Sequence, residues 1–316
     1  MKITSDHKVH IVDAPPENWV ERWLPASLLP FAQLMRLDRA FGWWLLLLPC
    51  WWGLLLGQIA TGAGMMNGRL LLWHSFLFLI GAIVMRGAGC TLNDIADRNF
   101  DGKVERTKLR PIPSGRVTLR QAFAFLIVQL IVGLFILLQF NRFTVWLAIG
   151  SLLIVAIYPF MKRLTYWPQF FLGLAFNYGA LLGWSATHAS LSPAAFLLYA
   201  AGVSWTLGYD TIYAHQDKED DLKIGVKSTA LLFGANSRPW LAGFFAMAML
   251  LIASAFRLAG AHGLAYAGLA AAALHAAWQV RMFNHADSNL CLKLIRSNRM
   301  LGLFLAAGLL LELYFQ

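Results

Sequence analysis

Residues Arg86 to Arg116 read RGAGCTLNDIADRNFDGKVERTKLRPIPSGR, and the rest of the chain is best read outward from them. The stretch begins inside an apolar segment and ends in dense charge. Asn93, Asp97 and Asp101 stand four apart. On a helix turning about 100° per residue they fall within about 80° of one another, on one face. Arg86 precedes Asn93 by about two turns, on almost the same line. A guanidinium and carboxylates at the end of a membrane-length apolar segment are costly to hold, which makes them candidates for function. The competing reading is a solvated interfacial loop, or for Arg86 an ion pair with Asp97.

The apolar segment is one of many. Of 316 residues 59% are hydrophobic and 13% charged, with mean hydropathy +0.58; soluble domains average about 25% charged. In lipid the backbone must satisfy itself, which leaves helices or a closed barrel. The apolar runs are continuous and about 20 residues long rather than alternating, so helices are expected. The predicted fold is all-α, a polytopic membrane helix bundle. About nine transmembrane helices are expected, near 40–60, 70–92, 121–140, 143–160, 168–187, 193–212, 238–257, 262–281 and 299–315. Residues 1–35 read as a polar N-terminal segment and 36–316 as a single transmembrane domain. The final ELYFQ resembles part of a protease-cleavage tag and is set aside. Cys50, Cys90 and Cys291 have no metal-ligand spacing and read as buried small hydrophobes.

Charge orients the bundle. Of 26 Lys and Arg, 22 fall in the N-terminal segment and in the loops after even-numbered spans. Only Arg69, Arg142 and Arg257 fall on the other side, and Arg86 lies within a span. This bias places the N-terminus and the acidic loops in the cytoplasm. The net charge of +10 is then topological, with attraction to anionic lipid and no call for nucleic acid. Residues 1–35 mix acids with bases, unlike acid-poor transit peptides. A bacterial inner (plasma) membrane is therefore the expected home.

A second acidic cluster, YDTIYAHQDKEDDLKIGVKST (209–229), follows the sixth predicted span. On a continuing helix Asp210, Asp217 and Asp221 fall within about 40° on one face. Two such faces at matched span ends would repel unless a cation lies between them. Asn93, Asp94, Asp97, Asp101, Asp210, Asp217 and Asp221 are the candidate metal ligands, and oxygen donors beside bases suit Mg²⁺ carrying a phosphate ligand. Lys103, Arg106, Arg110, Lys223 and Lys227 are near enough in sequence to neutralise that phosphate. Lys162 and Arg163 close YPFMKRLTYWPQ (158–169). They read either as snorkelling anchors or as a grip on an anion. Tyr213 is a candidate for shielding a carbocation, and His215 a lesser site candidate.

NDIADRNFDGKVERTKLRPIPSG resembles the signature of the UbiA superfamily of intramembrane prenyltransferases. Residues 158–169 and 209–229 resemble the other two landmarks of its 4-hydroxybenzoate polyprenyltransferase branch. The resemblance spans the first seven predicted helices and implies a nine-helix bundle. It also implies that Asn93, Asp97 and Asp101, with Asp210, Asp217 and Asp221, hold Mg²⁺ and the diphosphate of a polyprenyl donor. Arg163 would hold the acceptor's carboxylate or the diphosphate. The expected reaction is Mg²⁺-dependent transfer of a polyprenyl chain from polyprenyl diphosphate to 4-hydroxybenzoate, ortho to its hydroxyl, toward ubiquinone. No obligate protein partner is evident. The rivals are a cation-coupled transporter, a prenyltransferase acting on another aromatic acceptor, and a lipid phosphotransferase, whose DGxxAR-type arrangement is absent. Transport sites usually lie at the membrane midplane, whereas these acids gather at span ends.

Overall fold

The computed structural model describes residues 18–39, 41–102, 107–216, 218, 222 and 225–316, and the regular structure among them is helical. Two short helices, α1 (Trp19–Trp23) and α2 (Leu29–Leu34), precede the long ones. These are α3 (Phe41–Ala60), α4 (Gly68–Asp101), α5 (Leu119–Leu137), α6 (Arg142–Leu164), α7 (Pro168–His188) and α8 (Pro193–Ala214). A short α9 (Thr229–Phe233) leads into α10 (Ser237–Ala259), α11 (Gly263–Met282) and α12 (Ser288–Phe315). The chain forms two compact units, residues 1–43 with 80–136, and residues 44–79 with 137–316.

Helix α4, whose residues 80–101 belong to the first unit, carries the first motif. It has 34 residues and is therefore about 50 Å long, against about 30 Å of bilayer hydrocarbon. The predicted span ended at 92. The helix continues to Asp101, so Asn93, Asp97 and Asp101 do share a helical face. Leu34 of α2, Ile95 of α4, Val117 and Ala122 form a buried cluster, with Phe31, Ile112, Phe125 and Leu126 packed on it. The start of α5 is fixed by a reciprocal cap. Thr118 Oγ1 accepts from Gln121 N, and Gln121 Oε1 accepts from Thr118 N, so two otherwise unpaired donors are satisfied.

The second unit is arranged around α8, which packs against α7, α9, α10 and α12. It starts at a Ser192 cap followed by Pro193 and is buried over most of its surface. Trp205 Nε1 donates to Asn298 Oδ1 of α12 at 2.9 Å. Asn298 Nδ2 donates to Gln279 Oε1 of α11 at 2.8 Å. Inter-helix hydrogen bonds and close backbones hold such bundles where lipid offers no hydrophobic drive. At the α11–α12 crossing, a Cβ on Gly308 would lie 2.8 Å from Gly268 Cα, so only glycine allows the approach. Glu312, in the segment set aside as a tag remnant, caps α11 instead. Its Oε1 accepts from His262 N, and its Oε2 from Leu264 N and Ala265 N.

Among the described residues, six stretches are long and apolar enough to cross a membrane: α3, α4, α5, α6, the run from α9 through α10, and α12. The expected count of about nine goes beyond these six. Helices α7 and α8 are rich in Gly, Ala, Ser and Thr, and their small and polar side chains are largely buried; α11 is rich in Ala and buries Ala265, Ala272, Ala276 and Gln279. The outward faces of α5 and α6 carry Ile127, Phe135, Trp146 and Leu153 exposed, as a lipid-facing surface requires.

Candidate functional site

The first acidic motif occupies the last turns of α4. Asp97 and Asp101 are buried and Asn93 is half-buried. Thr107 and Arg110 bond back to this helix end. Thr107 Oγ1 donates to the Asp101 carbonyl at 2.8 Å. Arg110 Nη1 donates to Asp101 Oδ2 at 2.9 Å and lies 3.5 Å from Asp94 Oδ1. Arg116 donates to Gln33 Oε1 and to the Leu109 carbonyl, each at 2.6 Å. Burial pushes the Asp101 carboxyl above its usual range; Arg110 opposes this, and Asp94 and Asp97 add to it. An acidic face held in this way favours a cation.

Asp94, expected among the metal ligands, is engaged by cations of the chain itself. Arg36 Nη2 donates to its Oδ1 at 2.6 Å. Arg36 adopts a left-handed backbone, φ 58°, and its Nη1 donates to the Gln33 carbonyl. Burial disfavours the Arg36 charge, but Asp94, Cys90 and Asp38 together outweigh it, so its pKa is raised. Arg39 pairs with Asp38 at 3.0 Å. The segment LMRLDR therefore supplies buried charge beside the first motif, which the sequence reading counted as topology. Its signal was alternation of Arg and Asp immediately before an apolar run. Arg86 is half-buried, and its guanidinium lies against Gly42, where a Cβ would come within 2.9 Å of Nε.

In the second unit, α8 brings Asp210 and Tyr213 to its last turns, both half-buried, and ends at Ala214. The continuing helix expected to carry Asp210, Asp217 and Asp221 on one face therefore stops short as α8. Asp217, Asp221, Lys223, and in the first motif Lys103 and Arg106, lie outside the described residues. His215 caps α8; its Nε2 is 2.8 Å from Ser237 Oγ. Ser237 Oγ in turn donates to the Gly234 carbonyl. Burial, then Lys218 and His285, push His215 down to about 4, so it is neutral.

The segment Lys227–Thr229 is tied to three helices. Lys227 N donates to the Lys162 carbonyl at 2.8 Å. Lys227 Nζ donates to the Leu164 carbonyl and lies 5.4 Å above the Tyr166 ring. Thr229 N donates to Gln169 Oε1, and its hydroxyl meets that of Thr211 at 2.7 Å. Lys227, read from sequence as a phosphate neutraliser, here caps the carbonyl end of α6. Lys162 is half-buried and Arg163 exposed at that end.

The donors of the first motif are an amide and carboxylates, the oxygen ligands that hard divalent cations take. Among the described residues no three His, Cys, Asp or Glu form a metal cage by themselves. A cation bound here would complete its shell from phosphate oxygens, water or residues outside the described set.

The sequence profile of the UbiA prenyltransferase family matches residues 39–307. The chain is 46% identical over 300 residues to the mitochondrial 4-hydroxybenzoate polyprenyltransferase of Arabidopsis thaliana, covering 95% of this chain and 72% of that protein. The Homo sapiens protein of that name is 48% identical over 293 residues, covering 91% and 76%. Among solved structures, the apo UbiA homolog from Aeropyrum pernix K1 superposes with TM-score 0.70 at 25% identity, covering 85% and 97%. A UbiA homolog from Archaeoglobus fulgidus bound to GPP and Mg²⁺ shares the fold, with TM-score 0.66 at 19% identity, covering 90% and 99%. The mitochondrial relatives overturn the bacterial plasma membrane expected from residues 1–35, and with it the cytoplasmic side assigned to the acidic loops; they point to a mitochondrial membrane. Mixed charge in an N-terminal segment does not decide the compartment, because the bundle asks only for a bilayer.

Proposed function

The chain belongs to the UbiA prenyltransferase family, and on that premise we propose that it transfers a polyprenyl chain from polyprenyl diphosphate to the ring carbon ortho to the hydroxyl of 4-hydroxybenzoate. The observation that carries this reading is 46–48% identity, over more than nine-tenths of the chain, to proteins of that activity. The buried acidic face of α4 supports it independently.

A bound divalent cation, Mg²⁺ in this reading, supplies Lewis-acid stabilisation of charge growing on the diphosphate. Asn93, Asp97 and Asp101 would hold it from α4, with Asp210, Asp217 and Asp221 as the candidate donors of the second motif. The allylic C–O bond breaks with its electron pair leaving on the diphosphate. Arg106, Arg110 and Lys223 are the side chains suited to offset that charge. The ring carbon ortho to the hydroxyl then forms the C–C bond, and its proton leaves to a motif carboxylate or to the released diphosphate. Tyr213, half-buried on α8, is a candidate to face the cationic carbon. The reaction asks for a neighbourhood poor in water, because water would quench an allylic cation. Arg163, exposed at the end of α6, is the candidate grip on the acceptor's carboxylate.

The test is an assay of purified protein in detergent with radiolabelled 4-hydroxybenzoate and a series of prenyl diphosphates, with and without Mg²⁺. Label should enter an apolar product only with both donor and metal present. Prenylation of a different aromatic acid in preference to 4-hydroxybenzoate would reassign the acceptor.

A further inference from the structure

The first acidic motif contains a carboxylate that the reaction described above leaves without a task. Asp94 is 1% exposed. Its Oδ1 faces two guanidinium groups, Arg36 at 2.6 Å and Arg110 at 3.5 Å. Its Oδ2 is buried without a hydrogen-bond partner. Asp94 and Asp101 are seven residues apart, two turns along α4 with an offset of about 20°. Arg110 Nη1 reaches both carboxylates, and its bond to Asp101 is the shorter at 2.9 Å.

Two cations thus meet two carboxylates, and the four charges sum to zero. Arg36 is the fixed end of the set. Its backbone is left-handed, its Nη1 is held by the Gln33 carbonyl, and it is buried. A carboxylate committed at 2.6 Å to such a cation would have to place a divalent ion close to the same buried guanidinium. Like charge and desolvation both oppose that arrangement. Arg110 differs: it has two carboxylate partners, so it stays anchored by Asp94 when Asp101 engages another cation.

We infer that Asp94 is a positioning residue: anchored on Arg36, it holds Arg110 over Asp101 and so fixes how the end of the motif is presented to a metal-bound diphosphate. The inference rests on the prenyl-transfer reading. It removes Asp94 from the metal ligands and gives a role to Arg36, which precedes the first long helix.

A double-mutant cycle tests it with inorganic diphosphate and saturating Mg²⁺ as the probe. Binding is measured by calorimetry on full-length protein in detergent. Asp94→Asn and Arg110→Lys should each weaken binding about tenfold. The variant with both should be no weaker than the worse single one, because residues acting through one another are not additive. A loss in the double variant near the product of the two, about a hundredfold, would show Asp94 acting by itself, as a metal ligand does, and would overturn the inference. So would unchanged binding in Asp94→Asn. Because Asp94→Asn strands the Arg36 charge, Arg36→Gln/Asp94→Asn is measured beside it; both buried charges then leave together. This pair should fold, eluting as a single species, and bind as weakly as Asp94→Asn; wild-type affinity there overturns the inference equally. Absence of prenylated product from wild type that still binds diphosphate would sink the prenyl-transfer reading and leave the cycle readable. Wild type that binds no diphosphate would sink both.

Discussion

Asp97 is the residue on which the α4 face turns, flanked one turn away on either side by Asn93 and Asp101. Asp97→Ala should lower kcat by roughly 10²–10³, the scale expected when one preorganised group is removed from developing charge. The protein should remain folded and membrane-bound by gel filtration. Arg163 gives a sharper split. It is exposed at the end of α6. Arg163→Ala should raise KM for 4-hydroxybenzoate more than for the donor; an equal rise in both would assign it to the diphosphate. The shared helical face of Asn93, Asp97 and Asp101 was legible in the sequence, because their spacing carried it. It was not legible where partners come from distant segments. Nothing local to Asp94 says that Arg36, 58 residues earlier, neutralises it. Nothing local to Lys227 says that its ammonium meets the Leu164 carbonyl.

At the scale of elements, apolar run length located the long helices well and their ends poorly. The predicted span ending at 92 and the helix ending at Asp101 differ because hydropathy falls where the chain leaves lipid, while helical hydrogen bonding continues. The last helix shows the same effect at its start: it begins at Ser288 rather than 299, through Lys293 and Arg296. Helices α7 and α8 bury small and polar side chains against neighbours, so composition alone ranks them below α5 and α6. The Asn298–Gln279–Trp205 set makes this measurable. Asn298→Leu would leave Trp205 Nε1 and Gln279 Oε1 buried without partners, at about 1–3 kcal/mol for each unsatisfied group. Thermal unfolding in detergent should fall accordingly.

For the whole molecule, the proposed divalent cation is the ligand that can be withdrawn and returned. EDTA should abolish turnover, and Mg²⁺ in excess should restore it; turnover that survives chelation would count against the assignment. The compartment was the part of the sequence reading that failed. Residues 1–35 carry both signs of charge, and nothing in a helix bundle records which organelle's bilayer surrounds it. The matching relatives are mitochondrial proteins, which is what overturns the bacterial expectation.

The carboxylate of Glu312 bears on how preparations of this enzyme are handled. It sits four residues before the final Gln316 and seals the exposed amide donors at the head of α11. Trimming those last residues to tidy an expression vector would open a helix terminus inside the bundle. The resulting dead or short-lived sample would look like a chemical defect when it was a mechanical one.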